Sequence, residues 1–565
     1  MSTDKLKLAM LVGRDTPTTC SAISMIAGLP QVQILAILID SERLSIARRL
    51  RNLKKNVRRE GWSYLYFWLR EFLLDFLESL SSRQISRGDV FETLRQSFPG
   101  RAFTLGQFEK LNHIPVLEVG NLNGLLAAET LRKLEVDLGI VLGTRILKRS
   151  TFSIPRMGCI NLHKGKVPEY RGMPPGFWEL YDGRSSAGVT VHFVDDGLDT
   201  GDIVGEDSVL IRPKDSPRTL RRKLDQKGNE LLVRCVLDLA KGQAVRRPQP
   251  ATSHKTRTSP TRHQQEELEK GLGLSSVRQE QWIRMLKTFF YLTIFYTGFF
   301  HVVRGLRKIL PKSRGCILLY HRVNDLADDV LTVSLQRFTE HLLTLKKYYT
   351  VIPSSVIAEK VRLGEKLPDH SVAIHFDDCY RDVYTQASPI LVQLKVPASA
   401  FVSSGFIGTE RIFQHDADKY PIRMENLRPE DLSGLTKRGF EIGSHTVNHV
   451  DLGQCGDEEA YRELVQSKHD LETILARPVL MFSFPFGRKN NIREKVPELV
   501  RQAGYQTMFS AHGGYVTGSS DPFNLCRMGV SEVHRPLDLL MEIEGLSLGA
   551  LKMGWKKLWP NSRSS

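Results

Sequence analysis

Two groups of residues in this chain have the types and spacing for chemistry on an acylated nitrogen. The first is Asn161-Leu162-His163, which ends a strand-like run, together with Asp199 further along. Alternate residues of an extended segment project to the same side, so Asn161 and His163 can face one substrate. The stretch from Gly188 to Asp202 reads as a strand running into a Gly-rich turn that would present Asp199 at the same strand-end cleft. Such a trio suits acyl transfer to an amine. The Asn amide can stabilise the oxyanion of a tetrahedral intermediate, the His can exchange protons, and the Asp can orient the His or stabilise its charge. Taken singly, an Asn-x-His is commonly a polar loop and an Asp-Thr-Gly a turn.

The second group begins with His375-Phe-Asp-Asp-Cys-Tyr380, which closes an apolar strand and puts Asp377 and Asp378 at its carboxyl end, where α/β sites form. Gly443-Ser-His-Thr-Val-Asn-His449 then supplies His445 and His449, a spacing that brings both imidazoles to one side of a helical turn. One carboxylate and two His make an open three-ligand site. A divalent metal there would polarise an acyl carbonyl and acidify a water, while the neighbouring carboxylate takes the proton. An isolated His-x-x-x-His is more often two surface histidines. Its joint occurrence with a strand-end Asp-Asp pair argues against that reading.

The elements that must position these groups alternate in both halves of the chain. Apolar runs at Leu8–Val12, Val32–Ile39, Leu138–Leu142 and Gly188–Val194 are separated by helical stretches. So are Ile317–Tyr320, Val372–Phe376, Ala398–Val402 and Phe440–Ile442, and this βαβ rhythm predicts two α/β domains with parallel sheets. Pro248 to Ser276 is rich in Ser, Thr, Gln, Lys and Pro and is expected to be a solvated linker. Ala47 to Gly61 is a basic run leading into Trp62, Leu65, Tyr66, Leu69, Phe72, Leu73 and Phe76 at three-to-four spacing. Thr288 to Val303 is apolar and aromatic, flanked by Arg284 and Lys287 and by Arg304, Arg307 and Lys308. It is shorter than the roughly 20 residues of a spanning helix, so it is expected to lie in a membrane interface rather than cross it.

Composition bounds the classes. The 565 residues are 41% hydrophobic and 25% charged, the mixture of a folded globular protein rather than a disordered or collagenous one. The seven Cys form no Cys-x-x-Cys pair, which argues against a disulfide scaffold or a Cys-rich zinc site and for a reducing compartment. The start of the chain reads as a first strand rather than a signal peptide, so export is not expected. A net charge of +16 points to an anionic partner, for which membrane lipid, nucleotide-sugar, polyglutamylated folate and RNA all qualify.

Within Leu6 to Pro250, the segments Val136-Asp-Leu-Gly-Ile-Val-Leu-Gly-Thr-Arg-Ile-Leu147, Asn161 to Gly172 and His192 to Ile203 resemble the formyltransferases that use 10-formyltetrahydrofolate, a family acting on glycinamide ribonucleotide, methionyl-tRNA and amino sugars. The resemblance implies a Rossmann-like fold, Asn161, His163 and Asp199 as the catalytic trio, and 10-formyltetrahydrofolate as co-substrate. Its pteridine would be bordered by Thr144, Arg145, Ile146 and Leu147 and by Val194, Asp195 and Asp196. Lys164 and Lys166 depart from the usual Pro and Leu. From Cys316 to Glu544, the stretches Ile317 to Val323, His375 to Tyr384, Phe440 to Leu452 and Phe482 to Gly487 resemble polysaccharide deacetylases. That resemblance implies a distorted (β/α) barrel, Asp377 as general base, Asp378, His445 and His449 as ligands of Zn2+ or another divalent metal, and a Phe486 backbone amide at the oxyanion. Cys379 replaces the usual Gly, the usual Arg before Pro485-Phe-Gly is missing, and His534 is a weak candidate for a late catalytic acid.

The expected layout is therefore a formyltransferase domain at 1–250 with a basic amphipathic insertion at about 44–80, a polar linker at 251–280, a membrane-interface helix at 281–312, a deacetylase domain at 313–546 and a basic tail at 547–565. The leading expectation is a bifunctional enzyme of envelope polysaccharide or glycolipid biosynthesis. It would formylate a sugar amine and remove an N-acyl group from a carbohydrate, in either order, on a nucleotide- or lipid-linked sugar. The expected place is the cytoplasm, peripheral on the inner face of the membrane. The alternatives are methionyl-tRNA formylation beside an unrelated or inactive metal-binding domain, which the lack of a following β-barrel that grips tRNA makes the weaker reading, and a membrane-bound scaffold with a decayed deacetylase domain.

Overall fold

The computed structural model describes residues 5–549, apart from 43–45, 82, 214, 273–276, 310–312, 326–328, 418–423 and 490. The chain divides into two compact units, one made of Met1–Phe72 with Pro99–Glu280 and the other of Leu73–Phe98 with Gln281–Ser565. Most of the expected tail lies outside the described residues.

In the first unit the strands β1 (Leu6–Val12), β2 (Val32–Ile39), β3 (Val116–Glu118), β4 (Leu138–Leu142), β5 (Cys159–His163), β6 (Ser186–Phe193) and β7 (Ile203–Leu210) form one sheet in the order β3-β2-β1-β4-β5-β6-β7. The strands from β3 to β5 run parallel, and β6 and β7 add an antiparallel edge. Residues alternate across β1: Leu8, Met10 and Val12 join one core, while Ala9 and Leu11 join the other. Both faces are covered, so the strand is apolar from Leu8 to Val12 instead of alternately polar. The order turns back at β1 and β4, and ligands of such sheets bind outside the carboxyl ends of the strands at that turning point. This is the expected Rossmann-like layer.

The second unit has a parallel sheet in the order Thr507–Phe509, Met481–Ser483, Glu441–Ser444, Ser399–Val402, Ser371–Phe376, Cys316–Tyr320 and Met528–Gly529. Met528 pairs with Leu318 at one edge, and Leu525, just before it, bridges to Phe509 at the other. The sheet thus curls until one short segment serves both edges, in keeping with the distorted barrel. The helix Arg87–Ser97 belongs to this unit. It buries Val90, Thr93 and Leu94 and packs on the helices Leu335–Tyr348 and Ser388–Leu394.

Two stretches differ from expectation. Residues 251–271, expected to be solvated linker, pack on the first unit. Arg257 exchanges backbone hydrogen bonds with Arg171 and Met173, lies 4.9 Å over the Trp178 ring and pairs with Asp182 at 2.6 Å. The helix Arg262–Gly271 follows, started by a Thr261/Gln264 capping box and burying Leu268. A polar composition does not forbid packing, because a guanidinium can cover an aromatic face and a capped helix satisfies its own backbone. The second difference is the Thr288–Val303 stretch, which forms parts of two helices, Val277–Tyr296 and Phe299–Ile309. Among the described residues no single helix is long and apolar enough to cross a membrane, and Ile283–Tyr296 and Phe299–Ile309 meet at a bend of 62°. Tyr291, Leu292 and Phe300 are buried in the unit, while Leu286, Phe289, Phe299, Leu306 and Ile309 are exposed.

Candidate active sites

The antiparallel register of β5 and β6 places Asn161 opposite His192 and His163 opposite Thr190. Asp199 comes from the loop after β6, where its backbone takes a left-handed conformation with φ of 56°. Several contacts hold that loop. Gln249 Nε2 donates to the carbonyls of Asp199 and Gly201, both at 2.8 Å, and the Gly172 amide donates to Asp199 Oδ2 at 3.0 Å. A Cβ on Gly201 would lie 2.0 Å from the Phe193 carbonyl oxygen, so only glycine allows this approach.

The three expected residues are brought together. His163 Nδ1 is 3.4 Å from Asp199 Oδ2, and the Asn161 amide donates to Asp199 Oδ1 at 3.5 Å. His163 Nε2 donates to the Tyr170 carbonyl at 2.7 Å. Burial pushes the His163 pKa below the usual 6.5 despite the nearby Asp199 charge, so the ring is neutral and able to accept a proton at neutral pH. Burial alone would raise the Asp199 carboxyl, but hydrogen bonding to His192 and the charge of His163 hold it below the usual 3.8. His192 was missed by sequence reasoning. Its Nε2 lies 3.3 Å from the Asn161 amide nitrogen and 3.5 Å from Asp199 Oδ1, and the one signal for it is the cross-strand pairing of two segments already implicated.

These residues open on a cleft of about 980 Å³. Thr144, Arg145, Ile146, Leu147, Val194 and Asp195 line it, as does Lys164, which is ion-paired with Asp225. Arg145 is fixed by Asp40 and Glu42. Asp196 lies off this lining, exposed and 3.1 Å from Arg149, and Lys166 is exposed as well.

In the second unit the carboxyl ends of the strands Ser371–Phe376, Glu441–Ser444 and Met481–Ser483 supply the next group. Asp378, His445 and His449 each offer a ligand atom, all within 4.8 Å of one another. His449 Nε2 is 3.1 Å and His445 Nε2 3.5 Å from Asp378 Oδ1. His445 Nδ1 donates to the Ser483 carbonyl at 2.7 Å, which fixes the ring and frees Nε2 as a ligand. Both Asp378 carboxylate oxygens are buried with no hydrogen-bond donor. Orphaned oxygens beside two free imidazole nitrogens fit a divalent cation. Asp378, Cys379, Thr446, His449 and Phe486 all have φ between 56° and 65°. A left-handed conformation at Cys379 explains why glycine suits that position, and burial pushes its thiol well above the usual range.

Asp377 does not join the triad. Arg527 grips it with both terminal nitrogens at 2.7 Å, and the Ser483 hydroxyl donates to it at 2.9 Å. Burial would raise its pKa, but the charge and hydrogen bonds of Arg527 together with the charges of His445 and His321 outweigh it and bring it down to about 2. The guanidinium missing before Pro485 is therefore supplied from Cys526-Arg527-Met528 on the seam segment. Arg527 was missed by sequence reasoning; the structure buries it fully. His415 was also missed: its Nε2 is 3.5 Å from Asp378 Oδ2 and 2.9 Å from the Tyr380 hydroxyl, which donates to Asp416 at 2.7 Å. His534 is engaged elsewhere, with Nδ1 accepting from the Ser531 amide and its carbonyl accepting from His341. The Phe486 ring is 4.9 Å from the His449 ring.

Residues 125–236 match the family model of formyl transferases, and residues 364–508 match that of polysaccharide deacetylases. The methionyl-tRNA formyltransferase of Syntrophus aciditrophicus is 38% identical over 137 residues, 24% of this chain and 44% of that protein. The chain thus spans less than half the length of this curated relative. Among solved structures, the Streptococcus pyogenes deacetylase PplD in complex with acetate is 20% identical, with 41% of this chain and 99% of that one covered at a TM-score of 0.36. An N-formyltransferase from Helicobacter canadensis in complex with folinic acid and dTDP-3-aminofucose is 16% identical, with 45% and 70% covered at a TM-score of 0.28. With Asn161, His163 and Asp199 gathered in one unit and Asp378, His445 and His449 placed so that they could hold a metal in the other, the chain carries a formyl transferase domain and a polysaccharide deacetylase domain.

Proposed function

We propose that the protein is a bifunctional amino-sugar-modifying enzyme of envelope polysaccharide or glycolipid biosynthesis. The observation that carries this reading is the presence, on one chain, of a formyl transferase domain and a polysaccharide deacetylase domain, whose chemistries meet at an amine nitrogen. Deacylation liberates the amine that formylation consumes, and the opposite order also makes chemical sense. In the first site a sugar amine attacks the formyl carbon of 10-formyltetrahydrofolate. The Asn161 amide stabilises the oxyanion, neutral His163 takes a proton from the amine nitrogen, and Asp199 offsets the charge that results; as the formyl carbon–N10 bond breaks, that proton passes to N10 and tetrahydrofolate leaves.

In the second site Asp378, His445 and His449 would hold Zn2+ or another divalent metal, which when bound polarises an acyl carbonyl and acidifies a water. Asp377, held ionised by Arg527, would serve as the general base for the attacking water. The backbone amide of Phe486 is the further donor proposed for the oxyanion. The exposed apolar side chains of Trp62, Phe72, Phe76, Phe289 and Phe299, with the cations beside them, support a peripheral position on the inner face of the cytoplasmic membrane. A second reading, formylation of methionyl-tRNA beside an inactive metal-binding domain, is favoured by the name of the curated relative.

Mass spectrometry tests the two readings together. The full-length protein is incubated with 10-formyltetrahydrofolate, Zn2+ and a panel of N-acetyl and free-amino sugars, beside His163→Ala and Asp378→Ala. The expected result is a formyl mass gain lost only in His163→Ala and an acetyl mass loss abolished only in Asp378→Ala. Bound metal, measured by mass spectrometry of the digested protein, should also disappear in Asp378→Ala. Formylation of charged initiator tRNA with no reaction on any sugar would overturn the sugar reading.

A further inference from the structure

We infer that a small cavity at the amino ends of the strands Cys316–Tyr320 and Ser371–Phe376 binds a water-soluble phosphate group, inorganic phosphate or a phosphate monoester, at the end of the barrel away from the metal triad. The site is separate from both active sites and depends on the reading of neither. Cys316 and Ser371 line the cavity and are the first residues of their strands, so the six residues of Ser371–Phe376 put about 20 Å between it and Asp378. Its volume is about 140 Å³, which is about ten times what one water needs and well below the roughly 300–1,000 Å³ of sites for drug-sized ligands.

Two independent observations point to a ligand here. Ser371 is only 2% exposed, yet its hydroxyl has no hydrogen-bond partner, and the buried Nε2 of neighbouring His370 has none either. Both residues line the cavity, and unpaired buried polar atoms are costly unless something in the cavity bonds them. The second observation is charge. Of the lining carboxylates, Glu544 is shared by Arg304, Arg307 and the Tyr349 hydroxyl, and Asp369 pairs with Lys366 at 3.3 Å. Arg314 and Lys308 also line the cavity and have no ion pair with a carboxylate among the described residues. Arg314 is held instead by the Tyr515 ring, 3.6 Å away, and by the Ile543 carbonyl at 3.4 Å, which fixes its fork without neutralising it. Water would satisfy Ser371 and His370 but leave both cations uncompensated. A phosphate group answers both needs, accepting from the hydroxyl, the imidazole, the guanidinium and the ammonium together. The helix Phe299–Ile309 argues for a soluble ligand over a lipid headgroup. Arg304, Arg307 and Lys308 share one face of it, while exposed Phe299, Val302, Leu306 and Ile309 fall on the opposite face, so a lipid met by that apolar stripe would have its phosphate on the wrong side of the helix.

The test titrates inorganic phosphate into the full-length protein and follows peptide-resolved hydrogen exchange and thermal melting. Phosphate is expected to slow exchange in peptides covering 313–318 and 370–374. Lys308→Ala should raise the phosphate concentration needed for that protection about tenfold, the scale of one charge-assisted hydrogen bond, and Lys308→Ala combined with Arg314→Gln should abolish it. Ser371→Ala separates binding from structure. Removing an unpaired hydroxyl should leave the melting temperature without phosphate unchanged or raised, while the stabilisation that phosphate adds shrinks. If the double variant fails to fold by circular dichroism, Lys308→Ala and Ser371→Ala carry the comparison. Stronger protection by a sugar phosphate than by inorganic phosphate, with the same losses in the variants, would support the site and identify an ester as its ligand. Protection that is absent from these peptides, or unaltered in the variants, would overturn the site. So would binding to phosphatidylglycerol vesicles that the variants lose, in a protein that free phosphate does not protect, since the anion would then be a lipid headgroup.

Discussion

Asp377 and His163 are both buried, and the chain treats them in opposite ways. Asp377 is given a full counter-charge by Arg527, while His163 is left to be neutralised by its surroundings. Removing the counter-charge should therefore be costly. Arg527→Gln is expected to destabilise the second unit by about 3–5 kcal/mol, the scale of a broken buried ion pair, and to move the Asp377 pKa up from about 2. A chemical melt followed with the pH profile of deacylation checks both. The sign follows from linkage: the Asp377 carboxylate contributes about 2 kcal/mol above its unfolded pKa near 3.8, and that contribution is lost as pH falls through about 2. His163 gives the other profile. Its folded pKa lies below 6.5, so formyl transfer is expected to hold through neutral pH and to fall only on the acid side of 6.5, as read from kcat/KM against pH. The trio and the triad were legible in the sequence because each sits in a local motif at a strand end. His192, His415 and Arg527 were not, because each reaches its site from a segment whose relation to the motif exists only once strands are paired.

Among the helices, Arg87–Ser97 has the least obvious address. Its sequence reads as an ordinary short amphipathic helix, and nothing in its spacing says that Val90 and Leu94 will be covered by the helices Leu335–Tyr348 and Ser388–Leu394. Leu94→Ala is expected to cost about 2–5 kcal/mol, and the loss should appear in the second unit. Hydrogen exchange of the strands Ser371–Phe376 and Glu441–Ser444 would read it, while the β1–β5 sheet should keep its protection. The strands themselves were legible from their apolar runs. The linker was not, since residues 251–271 differ from a solvated segment only in what Arg257 and Leu268 happen to cover.

For the whole molecule, the two chemistries are expected to be separable by mutation yet inseparable by cutting. His163→Ala should leave metal content and deacylation at native levels, and Asp378→Ala should leave formyl transfer so, with the four rates measured on one preparation. A fragment beginning at Gln281 is expected to be poorly soluble and metal-poor, because it lacks Leu73–Phe98, and adding those residues back should restore it. The alternation of strands and helices announced two α/β domains, but hydropathy cannot show that one of them borrows a helix from the interior of the other's sequence. That borrowing also sets a schedule. On the ribosome the Arg87–Ser97 helix emerges long before the helices that cover Val90 and Leu94 have been made. Through that interval its apolar stripe has no native partner, so the nascent chain has a sticky stage that ends only when the barrel arrives, and a holdase is expected to find it there.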